Sequence, residues 1–532
     1  MLYGHWMGTL LDDGLEMRVL LHISQSTGGD CTGTLDNIDV GSVGLSLECI
    51  TDQGDLLRFS VPAIDGSYEG RSGHAHAIEG TWTMRNRACP LVLHPVTPSN
   101  IDGIWEGTLS WQSMRLRLRF YLATGTEGLI GAMKSCDQDE AMVPLDAVRH
   151  FESALVLESA SIGARFDGVL NRDCSRVDGM WEQGGVRLPL RLKRVASEDE
   201  EEPSRPQTPS EPYPYQSVEA RYRNPRAGCE LAGTLTIPER SGPFPAVLLI
   251  SGSGKHDRDG SMCGHKPFLV LADYLTRRGV PVLRTDDRGV GDSEGDFSRA
   301  TTSDLATDAE SALDWLRGRP ESAGRPIGLI GHSEGGLIAS MVAARDREVA
   351  FIVLLAGPGI PGWEIAGRQA RRQAELYGAD GETAAQMHND LTAILRNQKD
   401  ETTLRRQLEA RLSSFSEAQI ARMVEVYTSP WMRHFVGLDP ADYLRLITCP
   451  VLAIIGTKDS FLESKSNLEV IREALESGGN RSFDGVEVPG LNHLLQTCET
   501  GSPTEYAQIE ETIAPLVLEK IATWVKGQTP LR

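Results

Sequence analysis

Residues 327–344 constrain the fold of this chain more than any other segment. An apolar run is followed by Gly-His-Ser-Glu-Gly-Gly at 331–336 and then by an alanine-rich run with helical character. This order predicts a strand, a sharp turn and a helix, with Ser333 at the apex of a G-x-S-x-G motif. The flanking glycines suit a strained turn that leaves no room for side chains beside the serine. The pattern favours a nucleophilic serine over an ordinary glycine-rich connection between a strand and a helix.

From about residue 217 onward, short apolar runs alternate with helical patterns. The apolar runs lie at 246–250, 280–284, 327–330, 351–355 and 451–455. Near-continuous apolar strands with helices between them predict an α/β domain over 217–532, in which a parallel sheet is covered on both faces. Residues 361–445 interrupt the alternation and are rich in residues that favour helix. We expect this segment to form a helical cap over the site.

The first 196 residues contain a duplication. Trp-Met-Gly-Thr-Leu at 6–10 recurs as Trp-Glu-Gly-Thr-Leu at 105–109, an offset of 99 residues (105 − 6). Short runs of alternating polar and apolar residues, broken by glycine and aspartate turns, are typical of half-buried strands. We therefore predict two tandem antiparallel β modules, 1–97 and 98–196. The recurring tryptophans are interpreted as core anchors rather than as a sugar- or lipid-binding face.

Residues 197–216 differ in composition from both halves. An acidic run at 198–202 is followed by prolines at 203, 206, 209, 212 and 214. Such a segment is typical of a solvated linker that holds two domains apart. A docking tail is the alternative.

Size and charge limit the classes of function. At 532 residues the chain is long enough for more than one domain. Its formal net charge of -21, with no long basic run, argues against a nucleic-acid-binding surface. No apolar run approaches the roughly 18–20 residues that cross a bilayer, so we expect no membrane span.

The cysteines and the first residues bear on the compartment. Nine cysteines are scattered without a C-x-x-C pair, which favours reduced thiols over a disulfide framework or a zinc site. We therefore expect neither a metal nor another cofactor. The first residues lack the basic and apolar regions of a secretory signal. The expected location is the cytoplasm, or outside the cell if a signal has been removed.

A serine nucleophile needs a base, and the base needs an acid that orients it. Asp459 follows the apolar run 451–455, and His493 lies on a loop after the run 486–488. Each residue also has a structural alternative: Asp459 could be a turn aspartate or a helix N-cap, and His493 an ordinary loop histidine. Their order after the serine, at the ends of late strands, predicts the triad Ser333, Asp459 and His493.

The tetrahedral intermediate of acyl transfer needs two backbone N–H donors. One is predicted from Glu334, the residue after the nucleophile, and the other from Gly252 and Ser253 in the loop Ser-Gly-Ser-Gly at 251–254. A flexible turn is the alternative for this loop. A phosphate cradle is excluded because no G-x-x-x-x-G-K-[ST] motif follows. Trp431 and Phe435, four residues apart in the cap segment, are predicted to line an acyl pocket or to pack the cap.

Several segments together resemble a known superfamily. They are Ser-Gly-Ser-Gly at 251–254, Asp-Arg-Asp at 257–259, Asp-Arg-Gly-Val-Gly-Asp-Ser at 287–293, the turn 331–336, Gly-Thr-Lys-Asp at 456–459 and Gly-Leu-Asn-His at 490–493. Residues 217–528 are thus similar to the bacterial α/β-hydrolases, in particular to the esterase and serine-aminopeptidase-like group and the EstD-type carboxylesterases. One departure is Ser251-Gly252, where many hydrolases have His-Gly.

The resemblance implies an α/β-hydrolase fold with a helical cap. It also implies a carboxylesterase that cleaves a small-molecule ester of short to medium acyl length through an acyl-enzyme on Ser333. A serine peptidase or amidase on the same triad is the alternative, with Glu334 or Asp257 as the group that would bind a substrate amine. A third hypothesis makes the duplicated modules a binding protein with an accessory hydrolase half. The sequence gives no oligomeric state.

Overall fold

In the computed structural model, the chain forms two compact units, Met1–Glu202 and Pro203–Arg532. The structure describes residues 3–12, 15–25, 31–53, 55–73, 77–84, 87–111, 114–137, 139–183, 186–195, 204–239, 242, 244–376 and 379–529. Each unit is described by itself below.

The first nine strands of the first unit form one antiparallel sheet. They are β1 (Gly4–Asp12), β2 (Leu15–Gln25), β3 (Cys31–Asn37), β4 (Ser42–Ser46), β5 (Glu48–Gln53), β6 (Leu56–Val61), β7 (Gly66–Ser72), β8 (Ile78–Met84) and β9 (Arg87–Val96). Their order in the sheet is 4-3-2-1-9-8-7-6-5, so β9 returns to pair with β1.

The next nine strands repeat this topology. They are β10 (Gly103–Trp111), β11 (Met114–Gly125), β12 (Gly128–Ser135), β13 (Asp139–Pro144), β14 (Ala147–Phe151), β15 (Ala154–Ser159), β16 (Ala164–Leu170), β17 (Arg176–Gln183) and β18 (Val186–Val195). Their order is 13-12-11-10-18-17-16-15-14, the same as in the first sheet. Both sheets agree with the tandem antiparallel modules that the duplication predicts.

The recurring tryptophans are buried in the cores of the two sheets. Trp6 and Trp82 are 6% and 3% exposed in the first core, and Trp105 and Trp181 are 0% and 4% exposed in the second. Large aromatic side chains supply much of the apolar area that a small β module can bury. These four rings are therefore core anchors and do not form a binding face.

An apolar contact joins the two sheets. Its buried members are Met7, Leu20 and Ile38 from the first sheet region and Ile104, Tyr121 and Ala123 from the second. Met7 lies directly opposite Leu20 on neighbouring strands, and the equivalent positions of the second copy hold Glu106 opposite Arg119. The two copies therefore share a topology, but this pair of positions is apolar in the first copy and charged in the second.

The second unit is built on an eight-stranded sheet. Its strands are β19 (Tyr215–Asn224), β20 (Cys229–Pro238), β21 (Ala246–Ile250), β22 (Val282–Thr285), β23 (Ile327–His332), β24 (Phe351–Leu355), β25 (Val451–Gly456) and β26 (Phe483–Val488). Their order is 19-20-22-21-23-24-25-26. The last six strands are parallel, while β19 and β20 form an antiparallel hairpin at one edge.

The helices of this unit lie on both faces of the sheet and in the segment between β24 and β25. They are α1 (Pro267–Thr276), α2 (Thr302–Arg317), α3 (Glu334–Arg345), α4 (Gly362–Leu376), α5 (Gly381–Asn397), α6 (Glu401–Arg411), α7 (Glu417–Thr428), α8 (Pro430–Phe435), α9 (Pro440–Leu444), α10 (Ser464–Ser477) and α11 (Pro515–Gly527). Alternate residues of β21 belong to different cores, since Leu248 packs on one face and Val247 on the other. Among the described residues, no helix is long and apolar enough to span a membrane.

The predicted helical segment at 361–445 corresponds to helices α4–α9, which lie between β24 and β25. We call these six helices the helical insertion. Its residues Leu391, Leu404, Leu408 and Val424 form a separate apolar cluster. The insertion therefore has a small core of its own beside the two cores of the sheet.

The segment expected to be a solvated linker differs from that expectation in its second part. The acidic run lies within 196–203, outside the described residues. From 204 onward the chain is part of the second unit and bonds to its C-terminal loops: Arg205 donates to the carbonyls of Ala507 and Ile509 at 2.7 and 2.8 Å. The side chain of Gln207 donates to the carbonyl of Ile513 at 2.7 Å and accepts from its N–H at 3.0 Å. These bonds satisfy loop backbone groups, and β19 begins at Tyr215.

Candidate active site

Ser333 occupies a strained turn between β23 and α3. Its backbone has φ 54 and ψ -122, which non-glycine residues rarely adopt. The neighbouring positions must be glycine because there is no room for a Cβ atom. A Cβ on Gly331 would lie 2.0 Å from the carbonyl oxygen of Gly335, and a Cβ on Gly335 would lie 2.2 Å from that of Ile250. The predicted elbow is thus present, and its packing excludes side chains at both glycines.

Asp459 and His493 meet from two different loops. Asp459 follows β25 and His493 follows β26, and Nδ1 of His493 lies 2.7 Å from Oδ2 of Asp459. The other carboxylate oxygen accepts the N–H groups of Phe461 and Leu462 at 2.8 and 3.0 Å. The Asp459 side chain is fully buried. Because the carboxylate accepts from Nδ1, it fixes the tautomer in which Nε2 carries the lone pair.

His332 connects the serine turn with the His493 loop. Its Nε2–H donates to the carbonyl oxygen of His493 at 3.0 Å, and the two ring centroids are 5.0 Å apart. Burial lowers the pKa of His332 to about 3, so this ring stays neutral beside His493. Among the residues that the structure describes, neither Nε2 of His493 nor Oγ of Ser333 has a hydrogen-bond partner. No hydrogen bond therefore joins these two atoms in this structure.

The glycine loop after β21 runs alongside the serine. A Cβ on Gly252 would lie 3.2 Å from Cβ of Ser333 and 3.2 Å from the carbonyl oxygen of His332. A side chain at this position would require the loop or the serine turn to shift by a few tenths of an ångström. The predicted oxyanion segment is therefore adjacent to the elbow.

Asp287 anchors this loop, a role that the sequence alone did not suggest. Its carboxyl oxygens accept from Oγ of Ser251 at 2.7 Å and from the N–H of His256 at 2.9 Å. Burial raises the pKa of Asp287 to about 7. The position of Asp287 in the sequence could have indicated this role. Asp287 follows β22, which is the parallel neighbour of β21, so the ends of the two strands lie side by side.

Glu334 has a buried side chain beside the nucleophile, and its carboxylate accepts three hydrogen bonds. The donors are Oγ of Ser253 at 2.7 Å, Oγ1 of Thr302 at 2.6 Å and Nε1 of Trp431 at 2.8 Å. Glu334 is 2% exposed. The polar edge of Trp431 in the insertion therefore contacts the serine elbow directly.

Phe435 is more deeply buried than a residue that lines an acyl pocket needs to be. It stacks on Trp431 with ring centroids 4.9 Å apart, is 8% exposed and belongs to one of the two cores of the sheet. Its position favours the packing alternative over pocket lining. Trp431 remains half-buried at the boundary between insertion and elbow.

Ser333 lies at a strained turn between a strand and a helix of a mostly parallel sheet, and a histidine–aspartate pair lies at the ends of later strands. This is the arrangement of the α/β-hydrolases. Residues 203–532 have this arrangement. The family model of the X-Pro dipeptidyl-peptidases (S15 family) matches residues 227–475. This range contains Ser333 and Asp459, while His493 lies beyond it.

Two curated proteins are similar in sequence to parts of the chain. It is 26% identical to esterase EstD of Thermotoga maritima over 299 residues, which are 56% of this chain and 65% of EstD. It is also 29% identical over 125 residues to an uncharacterized 31.7 kDa protein of Escherichia coli from the traX-finO intergenic region, covering 23% of this chain and 41% of that protein. The chain thus spans less than two thirds of the length of these relatives. The solved structure of the alpha/beta hydrolase GrgF from Penicillium sp. sh18 is 17% identical, with a TM-score of 0.38, and covers 59% of this chain and 99% of that chain.

Proposed function

We propose that this protein is a serine carboxylesterase that hydrolyses small esters of short to medium acyl length. The observation that carries the proposal is the bond between His493 and Asp459, at 2.7 Å, on loops that converge beside the Ser333 turn. This bond supplies an oriented base, and the loop that carries it is joined to His332, the residue before the serine, by a hydrogen bond of 3.0 Å.

In the proposed reaction, Oγ of Ser333 attacks the ester carbonyl carbon while Nε2 of His493 takes the hydroxyl proton. The backbone N–H of Glu334 and those of Gly252 and Ser253 stabilise the oxyanion. His493 then returns the proton to the departing alcohol, which leaves an acyl group on Ser333. A water molecule activated by His493 hydrolyses this acyl-enzyme. Each oxyanion donor typically contributes about 2.7–4 kcal/mol to transition-state stabilisation.

The helical insertion is proposed as the cap of this site. Two contacts of α8 support the assignment: Trp431 donates to Glu334, and Nε2 of His434 lies 2.8 Å from Oγ of Ser303. Both contacts place α8 against the serine elbow and the first turn of α2. We therefore expect the insertion to limit the space open to an acyl chain.

A peptidase on the same triad is the second candidate, favoured by the match to the X-Pro dipeptidyl-peptidase model. It would need a carboxylate that is open to a substrate amine. Glu334 is buried under three donors. Asp257 accepts from the N–H groups of Asp259 and Ser261 at 3.1 and 2.9 Å and from Oγ of Ser261 at 2.7 Å. Because both candidate acids are engaged within the protein, the esterase is the better proposal.

The test is labelling with a fluorophosphonate followed by a panel of p-nitrophenyl esters and aminoacyl-anilides. We expect one label on Ser333, ester turnover above anilide turnover, and a preference within the short- to medium-chain esters. Ser333→Ala should abolish the label and leave less than a hundredth of the ester turnover. Anilide turnover equal to or above ester turnover would favour the peptidase. If the Ser333→Ala variant kept more than a hundredth of the wild-type ester turnover, the proposed serine mechanism would be ruled out.

A further inference from the structure

The Glu334 carboxylate is unusual in its set of partners. Among the described residues, no cationic side chain pairs with it, and its three donors are neutral groups. A buried carboxylate without a counter-charge is stabilised by such donors. Each donor that is lost leaves part of the desolvation free energy of the carboxylate uncompensated. The geometry of the three donors is therefore tightly constrained by Glu334.

The three donors come from three different parts of the second unit. Ser253 belongs to the loop after β21, Thr302 is the first residue of α2, and Trp431 belongs to α8 of the helical insertion. Glu334 is itself the first residue of α3 and follows the nucleophile. One carboxylate thus connects the insertion to both segments that supply the proposed oxyanion donors.

We propose that Glu334 is a positioning residue that couples the seating of α8 to the geometry of the oxyanion hole. This inference rests on the proposed serine esterase mechanism. When Trp431 donates to the carboxylate, the same carboxylate holds Oγ of Ser253 and keeps its own backbone N–H beside Ser333. When α8 moves away, the carboxylate loses a donor and turns toward water, and the Ser253 loop loses its fixed acceptor. The hole is therefore complete only with the insertion in place.

The chain contains a matched control for this coupling. His434 of the same helix contacts Oγ of Ser303 at 2.8 Å, and Ser303 adjoins Thr302 but makes no bond to Glu334. Ser303→Ala therefore removes a contact between α8 and α2 of similar length without changing the donors of the carboxylate. Trp431→Phe removes the N–H donor and keeps an aromatic ring to stack on Phe435.

The experiment measures kcat and KM on one p-nitrophenyl ester, with enzyme concentration taken from complete fluorophosphonate titration so that only folded enzyme is counted. We expect Trp431→Phe to lower kcat about tenfold, as loss of a hydrogen bond to a charged group would, while KM stays within about twofold. Ser303→Ala should keep kcat within about twofold of the wild type. A residue that only lines the acyl pocket would instead change KM and the chain-length preference.

A double-variant cycle gives a second readout that a merely structural role does not predict. Ser253→Ala removes the other end of the connection, so the pair Trp431→Phe and Ser253→Ala should lose about as much kcat as the more damaging single variant. Multiplicative losses would overturn the inference, as would equal kcat for Trp431→Phe and Ser303→Ala. If instead Ser333→Ala retains turnover, the proposed function fails, and this outcome is separate because it does not involve Trp431.

Discussion

His493 Nδ1 lies 2.7 Å from Asp459 Oδ2, and this single bond joins two loops that are 34 residues apart in the chain. Both oxygens of the carboxylate are occupied, one by the imidazole and the other by two backbone N–H groups. The carboxylate that orients the histidine is therefore itself held in place by the backbone of the loop that follows β25.

Replacing Asp459 by asparagine should lower kcat for ester hydrolysis by about 10⁴-fold, because an amide N–H facing Nδ1 stabilises the wrong tautomer of His493. Steady-state kinetics on a p-nitrophenyl ester would measure this. Asp484→Asn is a suitable control, since Asp484 accepts from Nε1 of Trp524 at 2.6 Å on the last strand of the sheet. A loss in Asp459→Asn no greater than in the control would contradict the assigned role.

Gly252→Ala should lower kcat about tenfold or more while the protein still folds. The added Cβ would sit 3.2 Å from Cβ of Ser333 and 3.2 Å from the carbonyl oxygen of His332. The loop must then shift by a few tenths of an ångström, which misplaces an oxyanion donor whose full loss costs about 2.7–4 kcal/mol. Gly527→Ala, where a new Cβ has no atom within 4 Å, is the control for the substitution itself. Unchanged kcat in Gly252→Ala would place the oxyanion donors elsewhere.

Asp287 should make stability depend on pH near neutrality. Burial raises its pKa to about 7, so the protonated carboxyl favours the fold at low pH and this contribution is lost as the pH rises through 7. Between pH 6 and 8 the free energy of unfolding of the wild type should fall by about 1 kcal/mol more than that of Asp287→Asn. Urea unfolding at pH 6, 7 and 8 measures both.

Asp346→Asn is the control for this pH effect. Although burial acts to raise it, the pKa of Asp346 is lowered by its hydrogen bond from Arg317, at 2.6 Å. Its carboxylate is therefore ionised throughout this range, and the substitution should cost the same stability at pH 6 and pH 8. Parallel curves for wild type and Asp287→Asn would show that Asp287 does not titrate near neutrality.

The ion pair between Arg119 and Glu106 offers a test inside the duplicated half. Its atoms are 2.7 Å apart and the side chains are only 9% and 11% exposed. Glu106→Met alone leaves a buried charge and should cost about 3–5 kcal/mol. The double variant Glu106→Met/Arg119→Leu installs the apolar pair that the first copy already has at positions 7 and 20. It should be neutral or more stable by about 1–4 kcal/mol.

Urea unfolding of the full chain, with hydrogen exchange of β10 and β11 to identify the transition, measures these two variants. Arg58→Met serves as the surface control, because Arg58 and Glu69 are 53% and 56% exposed and solvent screens an exposed pair, so its loss should change the stability little. A double variant that is as unstable as Glu106→Met would show that the pair is needed in the second copy for a reason other than charge balance.

The sequence by itself determined the features that depend on local order along the chain. The glycines around Ser333, the apolar runs of the parallel sheet and the 99-residue repeat follow from backbone sterics and side-chain periodicity, which neighbouring residues encode. The order of Ser333, Asp459 and His493 at strand ends was also readable, because parallel strands bring their carboxyl ends to one edge of the sheet.

Only the tertiary structure decided which polar groups meet across that edge. Glu334 was predicted for its backbone N–H, yet its side chain connects Ser253, Thr302 and Trp431, which lie 81, 32 and 97 residues away in the chain. The contacts of Arg205 and Gln207 with the C-terminal loops were equally hidden within a proline-rich segment of linker-like composition. Hydrogen-bond partners of long-range contacts depend on the packing of whole elements, and no local pattern in the sequence records that packing.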